Sequence, residues 1–154
     1  MKCYIQHEDF IFELLSLMGK IQHDHPDFDF VLGIKNGGLH LSERIAKHFH
    51  KPHRSVLISF YDTDDKRLDS PRVDDFTLIE ELKAKKHGTF LLVDDIIDSG
   101  STLRWFIKHT GLERDKDFKV ATMHWCSENS PDLKPHWYVA NKHKTDWIVY
   151  PWEV

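Results

Sequence analysis

The run Phe90-Leu91-Leu92-Val93-Asp94-Asp95-Ile96-Ile97-Asp98-Ser99-Gly100-Ser101-Thr102-Leu103 constrains this fold more than any other segment. Four apolar residues lead into two adjacent carboxylates, two more apolar residues into a third, and a turn of small residues follows. That order reads as a buried strand delivering acids to its carboxyl end. Open α/β sheets bind their ligands there. Adjacent Asp94 and Asp95 repel each other and need a cation or a ligand's hydroxyls to be tolerable. Ser99-Gly100-Ser101-Thr102 opens a helix, whose unpaired amides and dipole suit an anion. A ligand carrying both hydroxyls or a metal and a phosphate fits, and a phosphorylated sugar is such a ligand.

Apolar spacing elsewhere repeats the same alternation. Phe10, Leu14, Leu17, Met18 and Ile21 fall at helical intervals, with Asp9 placed to cap them. Phe30 to Ile34 reads as a second buried strand, Lys35-Asn36-Gly37-Gly38 breaks it, and Leu39 to Phe49 resumes a helical period. Ser55 to Tyr61 reads as a strand. Asp62 to Asp75 is crowded with aspartate and nearly devoid of apolar side chains, so a mobile, solvated loop is expected. Phe76 to Ile79 is expected to return as a strand and Glu80 to Lys86 as a short charged helix or connector. Thr89 to Val93 is the best strand, and Thr102 to Thr110 the helix after it, stopped by Gly111. Lys119 to Trp125 makes a further strand, and Trp137 to Val154 an aromatic-rich tail. Strand, turn and helix alternate, which predicts an α/β fold: one domain over residues 1–154, with a mostly parallel sheet flanked by helices.

Composition narrows the partners. The net charge of -4 argues against a dedicated nucleic-acid binder. Cys3 and Cys126 offer no disulfide framework and point to a reducing, cytoplasmic setting. The opening residues lack the apolar core of a signal peptide, and no stretch reaches the roughly 18 apolar residues of a membrane span. His23 with His25, and His48 with His50 and His53, find no Cys or acid to complete a usual zinc spacing, so they read as surface histidines.

Val93 to Thr102 resembles the signature of the type I phosphoribosyltransferases: an apolar strand, two acids, two apolar residues, an acid, then a small hydroxyl-and-glycine turn. These enzymes use 5-phosphoribosyl-1-pyrophosphate. The run Val31 to Leu39 resembles the family's pyrophosphate loop. Asn36 stands where a basic residue usually precedes Gly37 and Gly38, and Lys35 brings the cation one position earlier. Ser59-Phe60-Tyr61-Asp62, with Lys66 and Arg67, resembles the flexible catalytic loop, which makes Arg67 a candidate pyrophosphate contact. Trp147-Ile148-Val149-Tyr150-Pro151-Trp152-Glu153 resembles the hood of the short xanthine-guanine-hypoxanthine phosphoribosyltransferases, and the hood is expected mainly from residues 127–154. By that resemblance Trp147 stacks on a purine, Ile148 reads the base edge through its backbone, and Trp152 is structural. Cys126 stands where a base-reading lysine is expected, and a thiol is a weak donor.

The resemblance implies transfer of ribose 5-phosphate from phosphoribosyl pyrophosphate to a purine-type base (guanine, xanthine or hypoxanthine), with release of pyrophosphate. It gives Asp94 and Asp95 the ribose hydroxyls, Asp95 the contact to Mg2+, and Asp98 the proton at the base's N7. Ser99, Gly100, Ser101 and Thr102 hold the 5-phosphate. It also implies a homo-oligomer, either dimer or tetramer. The alternatives are a non-catalytic sensor of phosphoribosyl pyrophosphate or nucleotide, and a transferase for a different base.

Overall fold

Apolar residues alternate between the two faces of one central sheet, and that alternation organises the molecule. A computed structural model describes residues 1–153. Its elements are β1 (Lys2–Tyr4), α1 (His7–Asp24), β2 (Phe30–Lys35), α2 (Leu39–His48), β3 (His53–Tyr61), β4 (Arg67–Val73) and α3 (Phe76–Lys83). They continue with β5 (Phe90–Ile97), α4 (Ser101–Thr110), β6 (Phe118–Trp125), β7 (Trp137–Asn141) and β8 (Trp147–Val149). Six strands form the main sheet in the order β4-β3-β2-β5-β6-β7. Every pair in it is parallel except β3 with β4.

Val31, Leu91, Val93, Ala121 and Met123 face α1 and α2, where they meet Leu14, Leu17, Ile21, Leu41 and Ile45. Leu32, Ile34, Leu92 and Val120 face the other way, against Leu78 and Leu82 of α3 and Phe106 of α4. Stacked Phe90 and Phe118, with Phe106 edge-on to both, fill the base of that second layer. β5 is covered on both faces, which is why its first half is a continuous apolar run. Strand order reverses around β2 and β5: the chain moves outward from β2 to β3 and β4, then returns to the opposite side of β2 as β5. The carboxyl ends of β2 and β5 therefore flank the crevice where such sheets take ligands.

Several local expectations are corrected. Residues 67–73 are a strand, because the backbone between Asp62 and Asp75 satisfies itself by antiparallel pairing with β3 rather than by burying side chains. The Asp62 carboxylate closes that hairpin by accepting the amides of Asp64 and Lys66, each at 2.8 Å. Phe76 to Ile79 begins a helix, capped by Asp75, whose carboxylate accepts the Leu78 amide at 2.9 Å. Helix α1 starts earlier than expected, at His7, with Gln6 in the cap position. Beyond residue 126, β7 joins the main sheet, while β8 pairs in parallel with β1 in a small second sheet. No helix among the described residues is long and apolar enough to cross a membrane.

Candidate active site

A cleft of about 650 Å³ opens over the carboxyl ends of β2 and β5. Lys35, Asn36 and Gly37 line it from the end of β2 and the turn after it, Asp94, Asp95, Asp98, Ser99, Gly100, Ser101 and Thr102 from β5 and its turn, Arg67 from β4, and Trp147 from β8. Nearly every residue singled out in the sequence thus meets in one place, although the segments lie far apart along the chain.

The turn after β5 leaves a group of backbone amides free. The backbone amides of Ser99, Gly100, Thr102 and Leu103 find no acceptor among the described residues. The first intrahelical bond of α4 belongs to Arg104, whose amide reaches the Gly100 carbonyl at 2.9 Å. Gly100 sits at φ 83, a conformation that favours glycine and turns these amides to one side. Hydroxyls of Ser99 and Ser101 stand 3.0 Å apart at the rim. Arg67 reaches over from the β3–β4 hairpin and donates to Ser101 Oγ at 2.8 Å, its guanidinium 4.7 Å from the centre of the Phe60 ring. Arg67 thus stands at the turn after β5.

The turn after β2 packs directly on the acids. Asn36 and Gly37 amides take no acceptor among the described residues. A Cβ added at Gly37 would lie 1.9 Å from Asp95 Oδ2, and one at Gly38 would lie 2.5 Å from the Ile34 carbonyl and 2.7 Å from that of Val93. Lys35 is paired with Asp74 at 2.8 Å, so its charge is anchored at the hairpin side of the cleft.

Asp94 and Asp95 are held by their own strand end. Asp94 Oδ1 accepts the Asp95 amide and Asp95 Oδ1 accepts the Ile96 amide, both at 2.8 Å. Burial first, and for Asp94 the neighbouring Asp95 charge second, push both carboxyls above the usual carboxylate range, Asp94 the further. Such a pair is relieved by a cation or by hydroxyl donors. It offers oxygen ligands only, and no group of three or more His, Cys, Asp or Glu that could hold a metal forms among the described residues. Two carboxylates facing a cleft suit Mg2+, which keeps waters and completes its shell on substrate oxygens.

Beneath these acids lies a support that sequence reasoning missed. Tyr150 is buried, donates its hydroxyl to the Asp95 carbonyl at 3.2 Å, and receives a hydrogen bond from His124 Nδ1 at 2.8 Å. Burial, and secondly the charge of Lys142, lowers the His124 pKa to about 4 from an ordinary 6.5. Neutral His124 therefore belongs to the folded state, and unfolding lets it take a proton below pH 6.5. The stability it contributes is present above that pH and is lost as pH falls toward about 4. On acidification from pH 7 to pH 5 this amounts to about 2 kcal/mol. Urea unfolding at the two pH values is expected to show His124→Gln losing less stability than the wild type. An equal acid loss in both proteins would remove His124 as the source.

Asp98 is set apart from the other two acids. Its Oδ2 accepts from Lys142 Nζ at 2.9 Å and its Oδ1 from Asn129 Nδ2 at 2.6 Å. Burial raises its pKa, but the hydrogen bonds from Lys142 and Asn129 outweigh that and hold it below the usual carboxylate range. Lys142 was invisible in the sequence because Asn141-Lys142-His143-Lys144 looks like a solvated basic stretch. Cys126 is fully buried.

On the small sheet, Trp147 is 60% exposed and presents its ring to the cleft. Trp147 donates to Met1 O and Val149 O accepts from Ile5, so the intervening amide and carbonyl of Ile148 point away from β1 to the open edge. The Ile148 side chain packs into the α1–α2 layer.

The chain matches the family model of the phosphoribosyl transferase domain over residues 4–154. It is 25% identical over 126 residues to the xanthine-guanine phosphoribosyltransferase of Idiomarina loihiensis, a match covering 80% of this chain and 70% of that one. Its fold is similar to that of the Helicobacter pylori xanthine-guanine-hypoxanthine phosphoribosyltransferase, with a TM-score of 0.75 and 20% identity over 100% of this chain and 95% of that one. The purine phosphoribosyltransferase of Pyrococcus horikoshii gives a TM-score of 0.71 at 23% identity, over 99% and 94% of the two chains.

Proposed function

The chain belongs to the phosphoribosyl transferase domain family, and we propose that it transfers ribose 5-phosphate from phosphoribosyl pyrophosphate to a purine base, releasing pyrophosphate. The observation that carries this reading is the placement of an anion cradle, a carboxylate pair, a third ionised carboxylate and an exposed indole around one cleft. The 5-phosphate binds the free amides of Ser99, Gly100, Thr102 and Leu103, with Arg67 and the serine hydroxyls beside it. Asp94 and Asp95 take the ribose hydroxyls. The amides of Asn36 and Gly37 face the leaving pyrophosphate. Trp147 stacks on the base, and Ile148 offers its free amide and carbonyl to the base edge.

In the reaction the C1–oxygen bond to pyrophosphate breaks, with its electron pair leaving on the pyrophosphate oxygen. A base nitrogen forms the new bond to C1, and the proton that the base gives up passes to Asp98. The chain's contribution is orientation and placed electrostatics: the bound groups hold the two reactants in line and stabilise the departing charge. Mg2+, bound through Asp95 with Asp94 beside it, would supply further neutralisation of the pyrophosphate. The same reading expects a cytoplasmic homo-oligomer.

A base panel with phosphoribosyl pyrophosphate, run with Mg2+ and again with chelator, tests this. Pyrophosphate release is expected with at least one of guanine, xanthine and hypoxanthine, and only with the metal present. If no purine or pyrimidine in the panel yields pyrophosphate, the catalytic reading fails.

A further inference from the structure

Three neighbouring strands end level at the carboxyl edge of the sheet. Ile97 of β5 is in register with Trp125 of β6, and Trp125 with Asn141 of β7. The residues that follow, Asp98, Cys126 and Lys142, therefore stand in a row across the edge. The row is fixed by backbone: the Cys126 amide donates to Ile97 O at 2.8 Å and the Lys142 amide to Trp125 O at 2.7 Å. Lys142 then extends along the row, past the small cysteine, and its ammonium meets Asp98 Oδ2 at 2.9 Å. Its side chain is 3% exposed, against 40% for Asp98. Asp98 lines the cleft. A lysine is almost never buried this fully unless it is paired, and here its charge is directed at a cleft carboxylate from behind. Asn129 closes the other oxygen of Asp98 at 2.6 Å.

We propose that Lys142 is a positioning residue for the transfer reaction, clamping the Asp98 carboxylate from the protein side so that its exposed side meets the base. The inference rests on the reading of the site as a base phosphoribosyltransferase. Cys126 is part of the same device: a side chain larger than a thiol at the middle of the row would stand in the path of the lysine. Lys142 acts through Asp98 and makes no contact with the substrate.

The test is a double-mutant cycle in pyrophosphate release, using the best base for the wild type. Lys142→Met is expected to lower kcat about 10-fold or more, a part of what proton transfer contributes, while the KM for phosphoribosyl pyrophosphate stays within about twofold. Lys142→Gln, a neutral donor of similar reach, serves the same comparison if the methionine variant does not fold. Lys142→Arg, which keeps the charge, is expected to recover most of the activity. Added to Asp98→Asn, either neutral variant should cost nothing further, because groups acting as a unit are not additive. The clamp is overturned if an active wild type loses less than twofold in kcat on neutralising Lys142, or if the loss carries over in full to the Asp98→Asn background. A wild type silent with every base overturns the underlying function instead, so the two failures are told apart.

Discussion

Asp98→Asn is expected to lower turnover by about 10²–10⁴-fold, the range that a placed proton acceptor contributes, without weakening phosphoribosyl pyrophosphate. An amide cannot take the proton that the base sheds. It can keep one hydrogen bond of the pair now made by Lys142 and Asn129, but it leaves the buried Lys142 ammonium without a counter-charge, so turnover is read on a variant whose thermal melt shows it folded. Asp98 lies outside the amide cradle at Ser99 to Leu103 and outside the Asp94–Asp95 pair, so sugar phosphate binding has no reason to change. Pyrophosphate release gives the first quantity, and titration calorimetry of phosphoribosyl pyrophosphate with Mg2+ the second. Retention of a tenth or more of wild-type turnover would leave Asp98 without the role assigned to it.

Gly38→Ala is expected to be far more damaging to the fold than Gly37→Ala, although the residues are adjacent. At Gly38 the backbone is ordinary right-handed helical, φ -64, so conformational freedom is not the issue. The obstacle is contact: a Cβ there would meet the carbonyl of Ile34 at 2.5 Å and that of Val93 at 2.7 Å. Those carbonyls belong to β2 and β5, and moving either one parts the central pair of the sheet. Overpacking against backbone costs about 3 kcal/mol or more, which lowers the melting temperature by roughly 6–12 °C for a chain of this size. At Gly37 the three atoms nearest the added carbon all belong to the Asp95 carboxylate, with Oδ2 1.9 Å away. A side chain can turn aside, so Gly37→Ala should melt near the wild type yet lose turnover as Asp95 leaves its station. Thermal melts and pyrophosphate release on the two variants separate these outcomes, and equal melting temperatures would refute the packing account.

The parts of the site legible in the sequence are those whose chemistry is written locally. Asp94, Asp95 and Asp98 follow an apolar run, and Ser99 to Thr102 follow them without interruption, so one short segment carries both acids and cradle. Gly37 and Gly38 were legible for the same reason. What stayed hidden depends on pairing between distant segments. The β4 strand exists because β3 lies beside it, and the polar sequence Arg67–Val73 carries no apolar alternation to announce that. The β1–β8 sheet joins the two ends of the chain. Tyr150 and His124 meet under Asp95 across a separation that no local pattern records.

The sequence by itself determined the alternation of strand and helix, the carboxyl-end location of the acids and the small-residue turn after them, because hydrophobic periodicity and turn chemistry act over a few residues. Only the tertiary structure decided which charges serve which partner. Lys35 is tied to Asp74, Arg67 reaches Ser101 at the turn after β5, and Lys142 pairs with Asp98. A cation's role depends on what lies within about 3 Å of it and on how much water surrounds it. Strand register set both for Lys142, by ending β5, β6 and β7 level so that the lysine reaches Asp98 directly across the strand position of Cys126.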